Sequence, residues 1–155
     1  MSLNRDFSEL LFELNAKRAR YLLVGGYALS FYGRPRATGD FDLWVESTLP
    51  NAEIVYRALA DYGAPLQGVT PEDFAKPGTV LQIGVAPNRI DILTSLTGLT
   101  FEDAWENRKP ISYGDVPLFV ISESDVRNKR SVGRPQDVVD ANEIEAILED
   151  RNRES

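Results

Sequence analysis

Short apolar runs alternate along this chain with segments whose apolar residues recur at helical spacing. Residues 7–14 carry four large apolar side chains at that spacing and predict a packing helix. The apolar run 21–24 predicts a buried strand that ends at a Gly-Gly turn, and residues 27–32 predict a brief helix after it. Alternation and aromatic content over 40–45 predict the next strand. The chain therefore opens with helix, strand, helix and strand.

The rest of the chain predicts a further helix, a second helix start, two hairpins and a helical end. A helix runs from about 51 to 62, and residues 70–73 read as a helix start with a Thr cap and a Pro in the first turn. Two antiparallel hairpins are expected, over 80–93 and over 111–120. The composition of 122–150 is helical. The predicted fold is α/β: a mixed β-sheet flanked by helices, with a helical C-terminal segment.

The length and composition favour one compact domain. We expect 155 residues to form a single domain over 1–155, with a core at about 20–121 and C-terminal helices at about 122–150. Hydrophobic residues at 43% and charged residues at 26% are the balance of a globular protein rather than a disordered one. No apolar run approaches the roughly 20 residues of a membrane span, and the first residues lack the features of a secretory signal. The expected location is cytoplasmic, with no membrane partner.

The absence of cysteine and histidine excludes several chemistries. The sequence contains neither residue, so thiolate or imidazole zinc sites, disulfides, Cys-His nucleophiles and Ser-His-Asp triads are ruled out. Catalysis would rest on carboxylates, lysine, hydroxyls or an oxygen-bound metal. The formal net charge of −7 disfavours a broad, non-specific grip on nucleic acid, although a local basic path stays compatible with it.

Asp40 and Asp42 stand at the start of the predicted strand 40–45. Residues two apart in a strand point to the same face, so their carboxylates would lie side by side, with Cα atoms about 7 Å apart. Like charges this close repel each other unless a proton or a cation relieves them, and oxygen ligands suit Mg²⁺ or Mn²⁺. On spacing alone, two exposed loop acids explain the pair equally well.

A glycine pair upstream and an acid downstream favour the metal interpretation. Gly25 and Gly26 would let backbone N–H groups approach a phosphate closely, and Ser30 would add a hydroxyl slightly beyond them. Asp91 lies in an apolar run, where a buried acid needs a partner such as Arg89, backbone donors or a metal. Beside a strand that already carries Asp-x-Asp, the metal is the favoured partner.

The combined pattern resembles the minimal nucleotidyltransferases of the polymerase-beta-like superfamily. The family's Gly-Gly signature, Asp-x-Asp pair and later strand acid are similar, in the same order, to residues 23–26, 40–43 and 89–93. A narrower similarity, to the AbiEii-like branch of bacterial toxin-antitoxin and phage-defence proteins, rests on Gly25-Gly26-Tyr27-Ala28 with Arg36-x-Thr38-x-Asp40-x-Asp42. The core of the resemblance covers residues 21–93.

The resemblance implies a function and roles for individual residues. It implies two-metal transfer of a nucleoside monophosphate from a nucleoside triphosphate (NTP) to an acceptor hydroxyl on RNA, protein or a small molecule. Asp40 and Asp42 would hold the metal-bound triphosphate, while Asp91 would hold the second metal and help to activate the acceptor. The tail 129–140 is also similar to AbiEii-like proteins and places Lys129 on the triphosphate, with a solvated lysine as the structural alternative. Acceptors among relatives include transfer RNA, and a cognate toxin or antitoxin partner is implied.

Other functions that use two nearby acids fit less well. In aspartate-based phosphatases the first Asp directly follows an apolar strand, whereas here the polar loop 34–39 precedes it. Metal-dependent glycosyltransferases are longer and leave the glycine pair unexplained. An EF-hand is excluded because residues 43–45 supply no further ligand oxygens. A different class stays open: a catalytically silent nucleotide- or protein-binding module with the same fold.

Overall fold

The computed structural model describes residues 4–33, 40–85 and 88–125. Its elements in chain order are α1 (Arg5–Ala16), β1 (Tyr21–Val24), α2 (Gly25–Phe31), β2 (Asp40–Val45), α3 (Leu49–Tyr62), a 3-10 helix (Pro71–Ala75), β3 (Val80–Ile83), β4 (Arg89–Leu93), α4 (Phe101–Glu106), β5 (Lys109–Tyr113) and β6 (Val116–Val120). The predicted C-terminal helices and Lys129 lie outside the described residues.

The six described strands form one mixed sheet in the order β3-β4-β2-β1-β6-β5. β1 is antiparallel to β2 and parallel to β6, while β2 is parallel to β4. The two predicted hairpins are present as the antiparallel pairs β3/β4 and β5/β6. The prediction of a mixed α/β sheet flanked by helices is therefore confirmed.

Helix α1 packs the apolar stripe predicted for it into the core. Its buried residues are Phe7, Leu10, Leu11 and Leu14. The Asn4 side chain caps the helix by accepting hydrogen bonds from the N–H groups of Asp6 and Phe7, two of the donors that a helix start leaves without a partner. The helix contacts α3 and β6, so the core lies between the helices and the sheet.

A buried asparagine holds the end of the β1/β2 pair that lies away from the two acids. The Asn51 side chain accepts a hydrogen bond from the Arg20 N–H and donates to the carbonyl oxygens of Arg20 and Glu46. Because a slip of one residue would turn every side chain to the opposite face, this three-bond connection helps to fix which side chains of β2 face the core.

Two helices differ from the prediction. α2 begins at Gly25 rather than near Tyr27, because Gly25 takes a left-handed φ of +74° and the chain turns into the helix directly from β1. α4 has no predicted counterpart, since it is only six residues long. The signal for it was Thr100, whose hydroxyl accepts a hydrogen bond from the Asp103 N–H as an N-cap.

Candidate active site

The parallel pairing of β2 and β4 brings four charged residues into two adjacent pairs. The register places Asp40 beside Arg89 and Asp42 beside Asp91. Because alternate residues of a strand share a face, all four side chains start from the same face of the sheet. Phe41, between the two acids of β2, points the other way and is fully buried. The alternation on β2 thus anchors the strand on one face and presents carboxylates on the other.

Arg89 is the ion-pair partner of two of these carboxylates. Its Nη2 lies 2.7 Å from Asp40 Oδ2 and 3.3 Å from Asp91 Oδ2, and donates to both. Its Nε lies 3.2 Å from Asp91 Oδ1, yet neither of these two atoms has a hydrogen-bond partner among the described residues. The structure therefore supplies the Arg89 partner that the sequence allowed for Asp91, and leaves the buried Asp91 Oδ1 without a hydrogen bond from the described residues.

Asp42 has the most perturbed carboxyl group of the site. Burial raises its pKa to about 7, and the negative charges of Asp91 and Asp40 and a hydrogen bond to Asp91 add to the rise. Burial also raises the pKa of Asp91, while the neighbouring Arg89 opposes that rise. A carboxyl pair that is reluctant to hold two negative charges is the arrangement that a divalent cation stabilises.

The raised pKa of Asp42 predicts that the metal-free protein loses stability as pH increases. The folded state favours the neutral carboxyl group, with a pKa of about 7 against 3.8 for the free side chain. The stability that the folded protein gains from a neutral Asp42 carboxyl group is therefore fully present below about pH 4, and it is lost as the pH rises through about 7. We expect Asp42→Asn to be more stable than the wild type by about 2 kcal/mol at pH 8, and by much less at pH 5.

Urea denaturation in the presence of EDTA at pH 5, 6.5 and 8 measures this difference. Asp61→Asn is the control, because Asp61 is an exposed acid paired with Lys17 on the surface of α3. Parallel pH profiles for the wild type and Asp42→Asn would contradict the prediction.

The Asp42 carboxyl group leaves no room for a side chain at Gly25. A Cβ atom placed on Gly25 would overlap Asp42 Oδ2, and its φ of +74° lies in the left-handed region that disfavours other residues. The Asp42 carboxyl group thus packs directly on the Gly25 backbone. The sequence explained the glycine pair by close approach to a phosphate; the structure adds a different reason, which is room for the carboxylate itself.

The remaining predicted residues have distinct placements. Gly26 lies in the first turn of α2, beside the end of β1. The Ser30 hydroxyl donates to the Gly26 carbonyl oxygen at 3.1 Å, so its proton is engaged within the helix. Gln82 was not singled out from the sequence, although it stands directly opposite Asp91 in the β3/β4 pair and is exposed. The predicted hairpin does not fix its own register, and the β3/β4 pairing in the structure is what identifies Gln82.

The donor set fits a hard divalent cation, although the described residues do not form a ready metal cage. Carboxylate oxygens are the ligands that Mg²⁺ prefers, and the buried Asp91 Oδ1 has no hydrogen-bond partner within the described ranges. Across those same ranges, no group of three or more acidic side chains is arranged to hold an ion as it stands. The Arg89 guanidinium lies between Asp40 and Asp91.

The fold matches that of a nucleotidyltransferase of known structure. A similar solved structure is the crystal structure of the lincosamide antibiotic adenylyltransferase LnuA with lincomycin bound. The TM-score is 0.57 at 14% sequence identity, over 95% of this chain and 99% of that one. At this identity the likeness establishes the fold. No protein-family model and no curated protein matches the sequence.

The described ranges contain four α-helices and one 3-10 helix. None of them is long and apolar enough to cross a bilayer.

Proposed function

We propose that this protein is a metal-dependent nucleotidyltransferase that moves a nucleoside monophosphate from an NTP to an acceptor hydroxyl. The observation that carries the proposal is the adjacent pair Asp42 and Asp91, with Asp40 on the same face, in a fold shared with a nucleotidyltransferase. Fold alone does not define a function, so the weight rests on these side chains. The chain's lack of histidine and cysteine is compatible with this chemistry, since it needs no protein nucleophile.

Each carboxylate has a proposed role. Asp40 and Asp42 would hold the Mg²⁺ or Mn²⁺ that accompanies the triphosphate, and Asp91 would hold the second ion next to the acceptor. Bound ions supply positive charge to the attacking and leaving oxygens as charge develops on them. The acceptor oxygen bonds to the α-phosphorus while the bond to pyrophosphate breaks. Asp91 would also take the acceptor's proton, a role supported by the rise that burial causes in its pKa.

Further residues would bind the nucleotide. Gly25 and Gly26, at the end of β1 beside Asp42, would present backbone N–H groups to the triphosphate. Ser30 would contribute only after breaking its hydrogen bond to Gly26. Lys129, outside the described residues, is proposed to reach the phosphates on the strength of the sequence resemblance.

The finer assignment is to an AbiEii-like protein of a toxin-antitoxin pair. It is supported by the motif that begins Gly25-Gly26-Tyr27-Ala28 and includes both acids of β2. The acceptor would be transfer RNA or another RNA, a protein or a small molecule, and a cognate toxin or antitoxin would be the partner. If the chain is a toxin, its expression should arrest growth and Asp40→Ala should not.

A catalytically silent binding module of the same fold is the second candidate. The observation that favours it is the Arg89 guanidinium, which forms ion pairs with both Asp40 and Asp91 where a cation would bind. Such a protein would bind a nucleotide or another protein and transfer nothing.

Nucleotide transfer separates the two candidates. The protein is incubated with each α-labelled NTP, Mg²⁺ and cell lysate, or with lincomycin as a small-molecule acceptor. We expect label in RNA, protein or the small molecule, and we expect Asp40→Ala to reduce it by at least about 100-fold because a metal ligand is lost. Asp61→Asn, which removes an exposed acid from α3, should transfer normally. Absence of label in every acceptor would favour the binding module.

A further inference from the structure

We propose that Arg89 is an internal counter-cation that occupies the place of the second metal while no nucleotide is bound, and that NTP binding draws it away. This inference rests on the proposed function, because it concerns the same carboxylates. It adds a residue to which the sequence resemblance assigns no role, and it makes metal binding at Asp91 dependent on nucleotide.

One nitrogen of the Arg89 guanidinium contacts both Asp40 and Asp91. Arg89 Nη2 donates to an oxygen of Asp40 at 2.7 Å and to an oxygen of Asp91 at 3.3 Å. A Mg²⁺ ion shared by the same carboxylates would sit about 2.0–2.1 Å from each oxygen that it binds. The ion and the nitrogen would therefore compete for the same space and for the same negative charge.

The Arg89 side chain is more exposed than the Asp91 side chain that it contacts. About 33% of its side chain is exposed, against 11% for the Asp91 side chain. Its Nε has no hydrogen-bond partner among the described residues, so the contact with Asp91 is poorly aligned. The β4 backbone is held by β2 and β3, so a change at this position would be a rotation of the Arg89 side chain.

A bound triphosphate would give the Arg89 guanidinium new partners in place of the two carboxylates. Arginine binds phosphate oxygens in the same bidentate manner as carboxylates, and the proposed triphosphate site lies at Asp40 and Asp42, on the strand next to Arg89. A bound NTP would offer Arg89 new partners and leave Asp40 and Asp91 to the metals. Linkage then requires that nucleotide tightens metal binding and that metal tightens nucleotide binding.

The experiment measures Mn²⁺ binding to the nucleotide-free protein by electron paramagnetic resonance. We expect Arg89→Gln to bind Mn²⁺ at least about tenfold more tightly than the wild type, because a cation about 3 Å from the carboxylates is removed. Arg89→Lys keeps the charge and should stay within about threefold of the wild type. Adding a non-hydrolysable ATP analogue should tighten Mn²⁺ binding in the wild type and change it much less in Arg89→Gln.

Arg20→Gln is the matched control for net charge. Arg20 pairs with Glu46 at the end of β1 and β2 that lies away from Asp40. Its loss should change Mn²⁺ affinity by less than about twofold, because separated and exposed charges are screened by salt. Equal affinity in Arg89→Gln and Arg20→Gln would overturn the inference.

Asp42→Asn distinguishes a failure of the inference from a failure of the proposed function. If Mn²⁺ binds and needs Asp42, but Arg89→Gln binds no more tightly, only the role of Arg89 is wrong. If no variant binds Mn²⁺ even with the nucleotide, the metal site and the proposed function are wrong together. Should Arg89→Gln fail to fold, the Arg89 Nε–Hε resonance of the wild type, assigned with Arg89→Lys, replaces it. That resonance must shift on addition of Mg²⁺ and nucleotide, and an unmoved resonance overturns the inference.

Discussion

Asp42→Ala is expected to abolish the promotion of NTP binding by Mg²⁺ or Mn²⁺. Asp42 contacts both the second acid and the glycine turn of the site. It stands beside Asp91 in the β2/β4 register, and its carboxyl group packs on Gly25. Its loss removes a pair of ligand oxygens and one of the three carboxylates proposed to attract the cation. We expect the metal-dependent part of NTP affinity to fall by at least about 100-fold, the upper range for the loss of an important group of a metal site.

Isothermal titration of the NTP with and without Mg²⁺ measures that effect. Without metal, the mutant should bind the NTP at least as tightly as the wild type, since the loss of Asp42 removes repulsion of the triphosphate rather than attraction. Asp61→Asn serves again as the control, because it removes an acid at a surface ion pair on α3. Metal-dependent binding that survives in Asp42→Ala would show that the metal assignment at this residue is wrong.

Gly25→Ala should destabilise the protein and disable the site at once. The residue has a φ of +74°, which costs a non-glycine residue about 1–2 kcal/mol, and the new methyl group would overlap the Asp42 carboxyl group. Overpacking of this kind adds about 1–3 kcal/mol. We expect a loss of about 3 kcal/mol in the free energy of unfolding, together with loss of metal-promoted NTP binding, because Asp42 must move.

Gly68→Ala isolates the backbone part of that cost. Gly68 has a similar φ of +76°, but a Cβ there would meet nothing within 4 Å. Gly68→Ala should lower the free energy of unfolding by about 1 kcal/mol and leave metal-promoted NTP binding unchanged. Equal urea midpoints for the two mutants would mean that the contact with Asp42 is unimportant.

Parts of this architecture follow from local patterns that need no tertiary information. The apolar stripe of α1 and the strands at 21–24 and 40–45 were predicted correctly because helical and strand periodicities are properties of a few neighbouring residues. The two hairpins were predicted for the same reason, since their strands are close in sequence. The six-residue α4 was missed because so short a helix has almost no periodicity to detect.

The start of α2 could be predicted only in part from the neighbouring residues in the sequence. The glycine pair predicts a turn, and a turn is present, but its left-handed residue leads straight into the helix. Which residue needs to be glycine depends on a carboxylate that arrives from another strand, 17 positions further along the chain. That contact is a property of the β1/β2 register, which the spacing of the glycines does not encode.

The sequence by itself excluded chemistry that needs cysteine or histidine, and it placed two acids on one face of a strand. It also singled out Asp91 as an acid in an apolar run. Only the tertiary structure decided that Asp91 lies beside Asp42, that Arg89 reaches across to Asp40, and that Gln82 faces the same pair. The physical reason is that parallel pairing of β2 and β4 is a non-local choice, made by the burial of both strands in the core. The charges that it brings together are far apart along the chain.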